Sequence, residues 1–192
     1  YDKNGDNHYD TISAFIKSIR GSAPDAALFY LAKMLKAGED PKFIARRMIV
    51  HAAEDIGNAD PHALLVAVAA AQALEMVGLP EAEIPMAQAV IYLATAPKSN
   101  SVVKAIRLAQ SDVEEIGQGS VPLHLRDANH PGSQQMGYGK DYLYPHDFPG
   151  HYVKQEYMPD ELRGRQYYFP GGLGYEKVLK ARLEKWKSAN TE

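Results

Sequence analysis

Residues 61–97, PHALLVAVAAAQALEMVGLPEAEIPMAQAVIYLATAP, decide the fold class. The first half sets Leu64, Leu65, Val66, Val68 and Leu74 among alanines, so apolar side chains point nearly all the way round a helix. A helix of that kind is expected to be buried. The second half repeats the pattern with Ile84, Met86, Val90, Ile91 and Leu93, and Gly78-Leu79-Pro80 between the halves predicts a helical hairpin. Gln72, Glu75 and Gln88 interrupt both runs short of the roughly 20 apolar residues that a bilayer requires, so neither half is read as a membrane span. Alanine-rich helices are thin and let neighbours approach closely. The hairpin therefore needs partners, either elsewhere in this chain or on another copy of it.

Towards the N-terminus, Asp60-Pro61 and Asp40-Pro41 each open a helix with a capping carboxylate followed by an early proline. The helix after Pro41 turns Ile44, Met48, Ile49, Ala52 and Ile56 inward and spaces Arg47, His51 and Asp55 four apart on another face. That face reads first as a solvated stripe of weak ion pairs. Glu54 and Asp55, however, sit at the negative end of the helix, where acids are disfavoured. They are candidates for a tertiary or intersubunit ion pair with an arginine. As neighbours on a helix they diverge in direction, which argues against a catalytic carboxylate pair. A preceding helix starts at Pro24, carries Ala27, Leu28, Leu31, Met34 and Leu35, and stops at Gly38. The first helix recurs in Ile12, Phe15, Ile16 and Ile19, with Asp10 expected as its N-cap. Before it, Asp2-Lys3-Asn4-Gly5-Asp6 copies the start of a calcium loop, but Asn7, Tyr9 and Ser13 stand where such a loop needs glycine, an aliphatic residue and a closing glutamate. A polar turn is expected there.

Towards the C-terminus, Ser99 caps a sixth helix in which Val102, Val103, Ile106, Leu108, Ala109, Val113 and Ile116 supply the apolar side. Up to Gly117 the pattern is six helices joined by short turns, with no strand. From residue 118 to 174 the chain is rich in Gly, Pro, Tyr and His and shows no helical period. That is too long for a loose loop in a compact domain, so this segment is expected to lie packed along the bundle. Val121, Leu123 and Leu125 alternate with His124 and Arg126, which predicts an extended piece with one side buried. Tyr142, Tyr144, Phe148 and Tyr152 offer flat rings suited to a subunit contact and are the candidate oligomer-interface residues. Residues 175–187 close the chain as a short helix with Val178, Leu179, Leu183 and Trp186 on its apolar side.

The 192 residues suit one domain, or a domain with an appendage. Hydrophobic content of 45% with 23% charged residues excludes a disordered chain, and a net charge of -3 with scattered lysines and arginines announces no nucleic-acid block. With no cysteine, disulfides and thiolate chemistry are excluded, in keeping with a reducing compartment. The chain begins at Tyr1 without a signal sequence, and is expected to be a piece of a longer protein. His124, His130, His146 and His151, with Asp127 and Asp147, lack metal-ligand spacing on a helix. Gly137-Tyr138-Gly139-Lys140 lacks the phosphate-loop spacing and is followed by Asp141, so it reads as a tight turn. No catalytic, cofactor-binding or metal-binding residue is nominated.

Several stretches in fixed order carry a resemblance: YDKNGDNHYDTISAFIKSIRGSAPDAAL, AGEDPKFIARRMIVHAAEDIGNADPHAL, AQAVIYLATAPKSN, VPLHLRDA, MGYGKDYLYPHDFPGH and RQYYFP. They are similar to the C-terminal part of the RarA (MgsA) family of AAA+ ATPases for replication-associated recombination, related to the Werner helicase-interacting protein. The resemblance covers nearly the whole chain. It implies an all-α helical bundle like a clamp-loader collar, an irregular aromatic-rich segment over 118–174, and a short final helix. Residues 1–20 would end the ATPase-associated helical region, and residues 21–192 would form a non-catalytic oligomerisation domain building a homotetramer. ATP and magnesium would bind outside these residues, since the family's Walker motifs and arginine finger have no counterpart here. Partners implied for the whole protein are DNA at replication forks and single-strand DNA-binding protein, with no membrane, in the cytoplasm at the nucleoid. Two other readings stay open from the residues alone. One is a helical metal-dependent or acid-base enzyme using the His, Tyr and Asp residues of 124–151, and the other is a DNA-binding module in its own right.

Overall fold

The computed structural model describes residues 5–117 and 119–189, and the calcium-loop-like start falls largely outside them, in residues 1–4. Seven α-helices follow in order, α1 (Asp6–Arg20), α2 (Pro24–Lys36), α3 (Pro41–His51), α4 (His62–Val77), α5 (Glu83–Thr95), α6 (Ser101–Ile116) and α7 (Glu176–Ser188). No strand occurs among the described residues, and the fold is all-α. The described helices divide into two compact units. The first holds the chain up to Val103 together with Pro170–Lys180, and the second holds Lys104–Phe169 with the end of α7.

The first unit contains the core. Phe15, Ile19, Met34, Ile44, Met48, Ile56, Met86, Val90 and Leu93 are all essentially inaccessible to water. Burying one such side chain stabilises by about 1.5–3 kcal/mol, which is why the helical spacing of these residues dictates how α1–α5 pack. Helix starts follow the capping chemistry. Asp40 accepts from the Lys42 amide at 2.9 Å, and Asp60 accepts from the His62 amide at 3.1 Å while also receiving the Tyr92 hydroxyl at 2.6 Å. Asp10 is not a cap, because α1 begins four residues earlier behind Gly5, and Asp10 lies within the helix.

The hairpin α4–α5 departs from expectation in an informative way. α4 is not buried all round. Ala63, Ala67, Ala70 and Leu74 face the core, while Leu65 is 65% exposed and Met76 more so. In α5, Met86, Ala89, Val90 and Leu93 are buried, but Ile84 is 75% exposed and Ile91 is also open. The alanine stripe lets α4 seat closely on its neighbours using methyl groups alone, so the larger aliphatic side chains are left on the outer surface.

Beyond α5 the chain returns to the first unit at the start of α7. The Tyr175 amide donates to the Ala59 carbonyl at 2.7 Å, and Ser101 Oγ donates to the buried Glu176 carboxylate at 2.5 Å. Gly174 makes this approach feasible. At φ +57 a Cβ would lie 2.1 Å from the Ala59 oxygen and 2.9 Å from Pro97. Gly174→Ala is therefore expected to lose at least about 2 kcal/mol in urea unfolding, combining left-handed strain with a clash against backbone. Gly172→Ala meets nothing within 4 Å and should stay within about 0.5 kcal/mol of the parent.

The second unit is built differently. Among the described residues every buried apolar side chain belongs to the first unit, and the second buries only Asp112 and Ser133. Its irregular segment is a succession of short 3-10 turns, at Leu123–Leu125, Gln134–Met136, Pro145–Asp147, Pro149–His151 and Asp160–Leu162. The expected extended piece at 121–126 is not formed. Leu123–Leu125 is one of these turns, with Val121 and Leu123 about half exposed, because the Pro122 carbonyl closes onto the Leu125 amide. Polar side chains do the tying. Arg126 donates to the Val121 carbonyl and lies over the Tyr138 ring, and Gln155 pairs with both backbone groups of Leu143 as a strand would.

Candidate functional site

Two features stand out as sites: a buried charged cluster in the first unit and an uncovered apolar surface in the second. The cluster forms where α3 gives way to one wide π turn, Ala52–Ile56. Such turns interrupt the regular helical bond pattern and are often found where side chains are re-aimed. Here Asp55 faces inward at 7% exposure, and its backbone carbonyl accepts from the Ser99 amide at 2.8 Å.

Asp55 meets three elements. Arg20, the last residue of α1, donates from Nε to Oδ1 at 2.9 Å, and His51 Nδ1 lies 3.0 Å from Oδ2. His51 Nδ1 is also 2.9 Å from a Glu54 oxygen, and Arg47 lies 2.9 Å from Nε2. A guanidinium can only donate, so Nε2 accepts and the proton sits on Nδ1, shared between the two carboxylates. The face spaced Arg47-His51-Asp55 is thus not a solvated stripe: His51 and Asp55 are buried, and Glu54 stands at the edge of the cluster, partly exposed. The arginine that reaches Asp55 comes from the same chain.

Burial would push the Asp55 carboxyl up, but the hydrogen bonds from His51 and Arg20 together outweigh it and hold the pKa below the ordinary 3.8. With the folded value below the unfolded one, this carboxylate contributes stability above its ordinary pKa, and that contribution is lost as pH falls through the folded value. Asp55→Asn is expected to lower stability at neutral pH and to flatten its loss on acidification between about pH 5 and 2, read by urea unfolding. Nearby, Lys98 Nζ donates to the Ala94 and Ala96 carbonyls at the end of α5 and to Ser22 Oγ at 3.1 Å. Partial burial lowers its pKa, and the Asp55 charge opposes that shift.

His51, Glu54 and Asp55 are the described residues whose ligand atoms come close enough to share one cation, within 4.8 Å of each other. His51 offers no free lone pair, since Nδ1 carries its proton and Nε2 takes Arg47, and Asp55 is already held by Arg20, so a divalent ion would have to displace these groups. The histidines of 124–151 do not gather. His124 Nε2 donates to the Glu156 carbonyl at 2.6 Å, His130 lies beside Asp127, and His146 and His151 rest ring to ring at 4.7 Å with Tyr144 next to His146.

The aromatic candidates take different positions. Tyr142 and Tyr144 are exposed, Phe148 is half-buried, and Tyr152 stacks on Trp186 at 6.0 Å. Sequence reasoning missed another exposed apolar surface in the same unit. Ile106, Val113 and Ile116 of α6, with Ala109 between, fall on one helical stripe, and Ile106 and Val113 are 54% and 55% exposed. The signal was present as apolar periodicity, but periodicity identifies a face without saying what covers it. α6 is fixed within its unit by Asp112, which takes two hydrogen bonds from Arg165 (2.7 and 2.9 Å) and one from the Tyr167 hydroxyl (2.6 Å). No described helix is long and apolar enough to cross a membrane.

Residues 21–187 match the family described as MgsA AAA+ ATPase C terminal, and residues 1–20 match the AAA C-terminal domain. A Mycobacterium tuberculosis AAA domain-containing protein is 53% identical over 98% of this chain, covering 42% of that protein. The replication-associated recombination protein A of Bacillus subtilis is 50% identical over 96% of this chain and 44% of its own length. The ATPase WRNIP1 of Dictyostelium discoideum is 41% identical over 88% of the chain, but only 19% of its own. The chain thus spans less than half the length of these relatives. With an all-α fold and a family match over most of its residues, the chain belongs to the MgsA AAA+ ATPase C-terminal family.

Proposed function

We propose that these residues form a non-catalytic self-association module of a AAA+ ATPase acting in replication-fork maintenance and recombination, and that four copies assemble into a closed collar. The observation that carries the proposal is the second unit, which exposes the α6 stripe while burying no apolar side chain among its described residues. Contiguous apolar surface of this kind marks a contact site. A closed tetramer also requires each subunit to present two contacting surfaces. The outer aliphatic face of α4–α5, with Leu65, Met76 and Ile84, supplies a second. In the whole protein, ATP and magnesium would be bound outside these residues. The collar would raise the effective concentration of ATPase units around DNA and single-strand DNA-binding protein in the cytoplasm, at the nucleoid.

The test is the mass of this chain in solution by light scattering after size exclusion. A particle of about 85 kDa, four times the 21.2 kDa chain, is expected. A 21.2 kDa monomer at all concentrations overturns the proposal. Tyr142→Ala with Tyr144→Ala is expected to weaken the assembly about tenfold, since both rings are open and belong to the same unit as the α6 stripe. An unchanged dissociation constant removes these tyrosines from the interface.

A further inference from the structure

The two family matches meet between Arg20 and Gly21, which is where a hinge between modules would be drawn from sequence. The packing there is that of one body. Phe15 and Ile19 of α1 are fully buried in the same core as Met34, Met48, Met86 and Leu93, and α1 packs on α2, α3 and α5. Both ends of α1 are also fastened by residues distant in sequence. Near its start, His8 Nδ1 lies 2.5 Å from Glu39, a carboxylate 5% exposed in the turn between α2 and α3, and the His8 ring stacks on Phe43. At its end, Arg20 holds Asp55, which His51 holds from the other side. The connection to α2 is only three residues, Gly21, Ser22 and Ala23, with Ser22 at φ 61 and gripped by Lys98.

We propose that α1 is a rigid lever belonging to the bundle, so that motion arriving from the ATPase portion turns α1–α5 together rather than bending the chain at residues 21–23. The proposal rests on reading the chain as the collar side of a AAA+ ATPase, in which the chain before α1 leads to the nucleotide site. A linker free to swing has few contacts crossing it and few hydrogen bonds to the bodies on either side. The junction at Arg20 has the opposite character, with a packed apolar face between two polar clasps. Coupling between sites needs an element that both bias, and a fastened lever supplies one. Arg20 is a positioning residue in this scheme. Its guanidinium fixes the far end of the lever to the π turn.

The test uses the full-length protein with spin labels at Lys17→Cys on α1 and Lys36→Cys on α2, both exposed positions, diluted with unlabelled subunits. Any native cysteines in the ATPase portion are first replaced. A single narrow distance, the same with ADP and with a non-hydrolysable ATP analogue, is expected. A distance that is broad, or that shifts with nucleotide, overturns the lever. In Arg20→Met, amide exchange of the last turn of α1 is expected to rise about tenfold with α4 unchanged, and an unchanged rate there overturns the role of the clasp. Light-scattering mass is read on the same samples. Loss of the tetramer in the parent protein counts against the self-association reading alone, because the label distance lies within one chain.

Discussion

Val113→Glu combined with Ile106→Glu is expected to leave helical content unchanged and to abolish assembly. Both side chains are more than half exposed, so a carboxylate at either position stays hydrated in the isolated subunit and costs the fold little. In an assembly the same carboxylates would be stripped of water against apolar surface with no partner for the charge. At about 2 kcal/mol for each, the dissociation constant rises roughly a thousandfold, enough to turn a tetramer into monomers at micromolar concentration. Light scattering with circular dichroism measures both consequences. In the proposed closed ring the α6 surface of one subunit meets the α4–α5 surface of the next, so Leu65→Glu with Ile84→Glu is expected to abolish assembly as well. A double variant at α6 that still forms tetramers would place the contact elsewhere.

Asp112→Ala is expected to loosen the second unit while the first stays folded. One buried carboxylate there collects Arg165 through two hydrogen bonds and Tyr167 through a third, joining residues more than fifty positions away to α6. In the first unit a lost polar contact is backed by apolar packing, whereas among its described residues the second unit has no buried apolar side chain to fall back on. Cleavage by a protease within 119–164 should accelerate at least about tenfold, with the fragment of α1–α5 left intact. The bonds from Arg165 and Tyr167, set against burial, hold the Asp112 pKa below its ordinary 3.8. This clasp is therefore in force above that value and is released as pH falls through the lower folded value, so acid should open the parent at the sites where Asp112→Ala opens at neutral pH.

The helices were legible in the sequence because their periodicity and caps are local. Ile12, Phe15, Ile16 and Ile19 predict the buried side of α1, and all four are buried. Asp40 and Asp60 predict helix starts, and both carboxylates accept the expected amide. The outward-facing leucines of α4 were not legible, since a helix apolar all round gives no sign of which side meets the core, and here alanine rather than leucine makes the closer approach. The Asp55 cluster was half visible. Acids at a helix C-terminus call for a cation, but the choice of Arg20 depends on a contact 35 residues away and on a π turn that has no sequence signature of its own. The turns after Leu123 were hidden for a related reason, because side chain to backbone bonds such as those of Gln155 leave no period to read.

The alanine stripe of α4 also divides that helix by the kind of change each side will tolerate. At Ala63, Ala67 and Ala70 the first constraint is volume: one added methylene must push two helices apart. At Leu64, Leu65 and Met76 volume is free and polarity is what counts. In a randomised library of α4 selected first for folding and then for assembly, the inner positions should be filtered by size in the first round, and the outer ones by charge in the second.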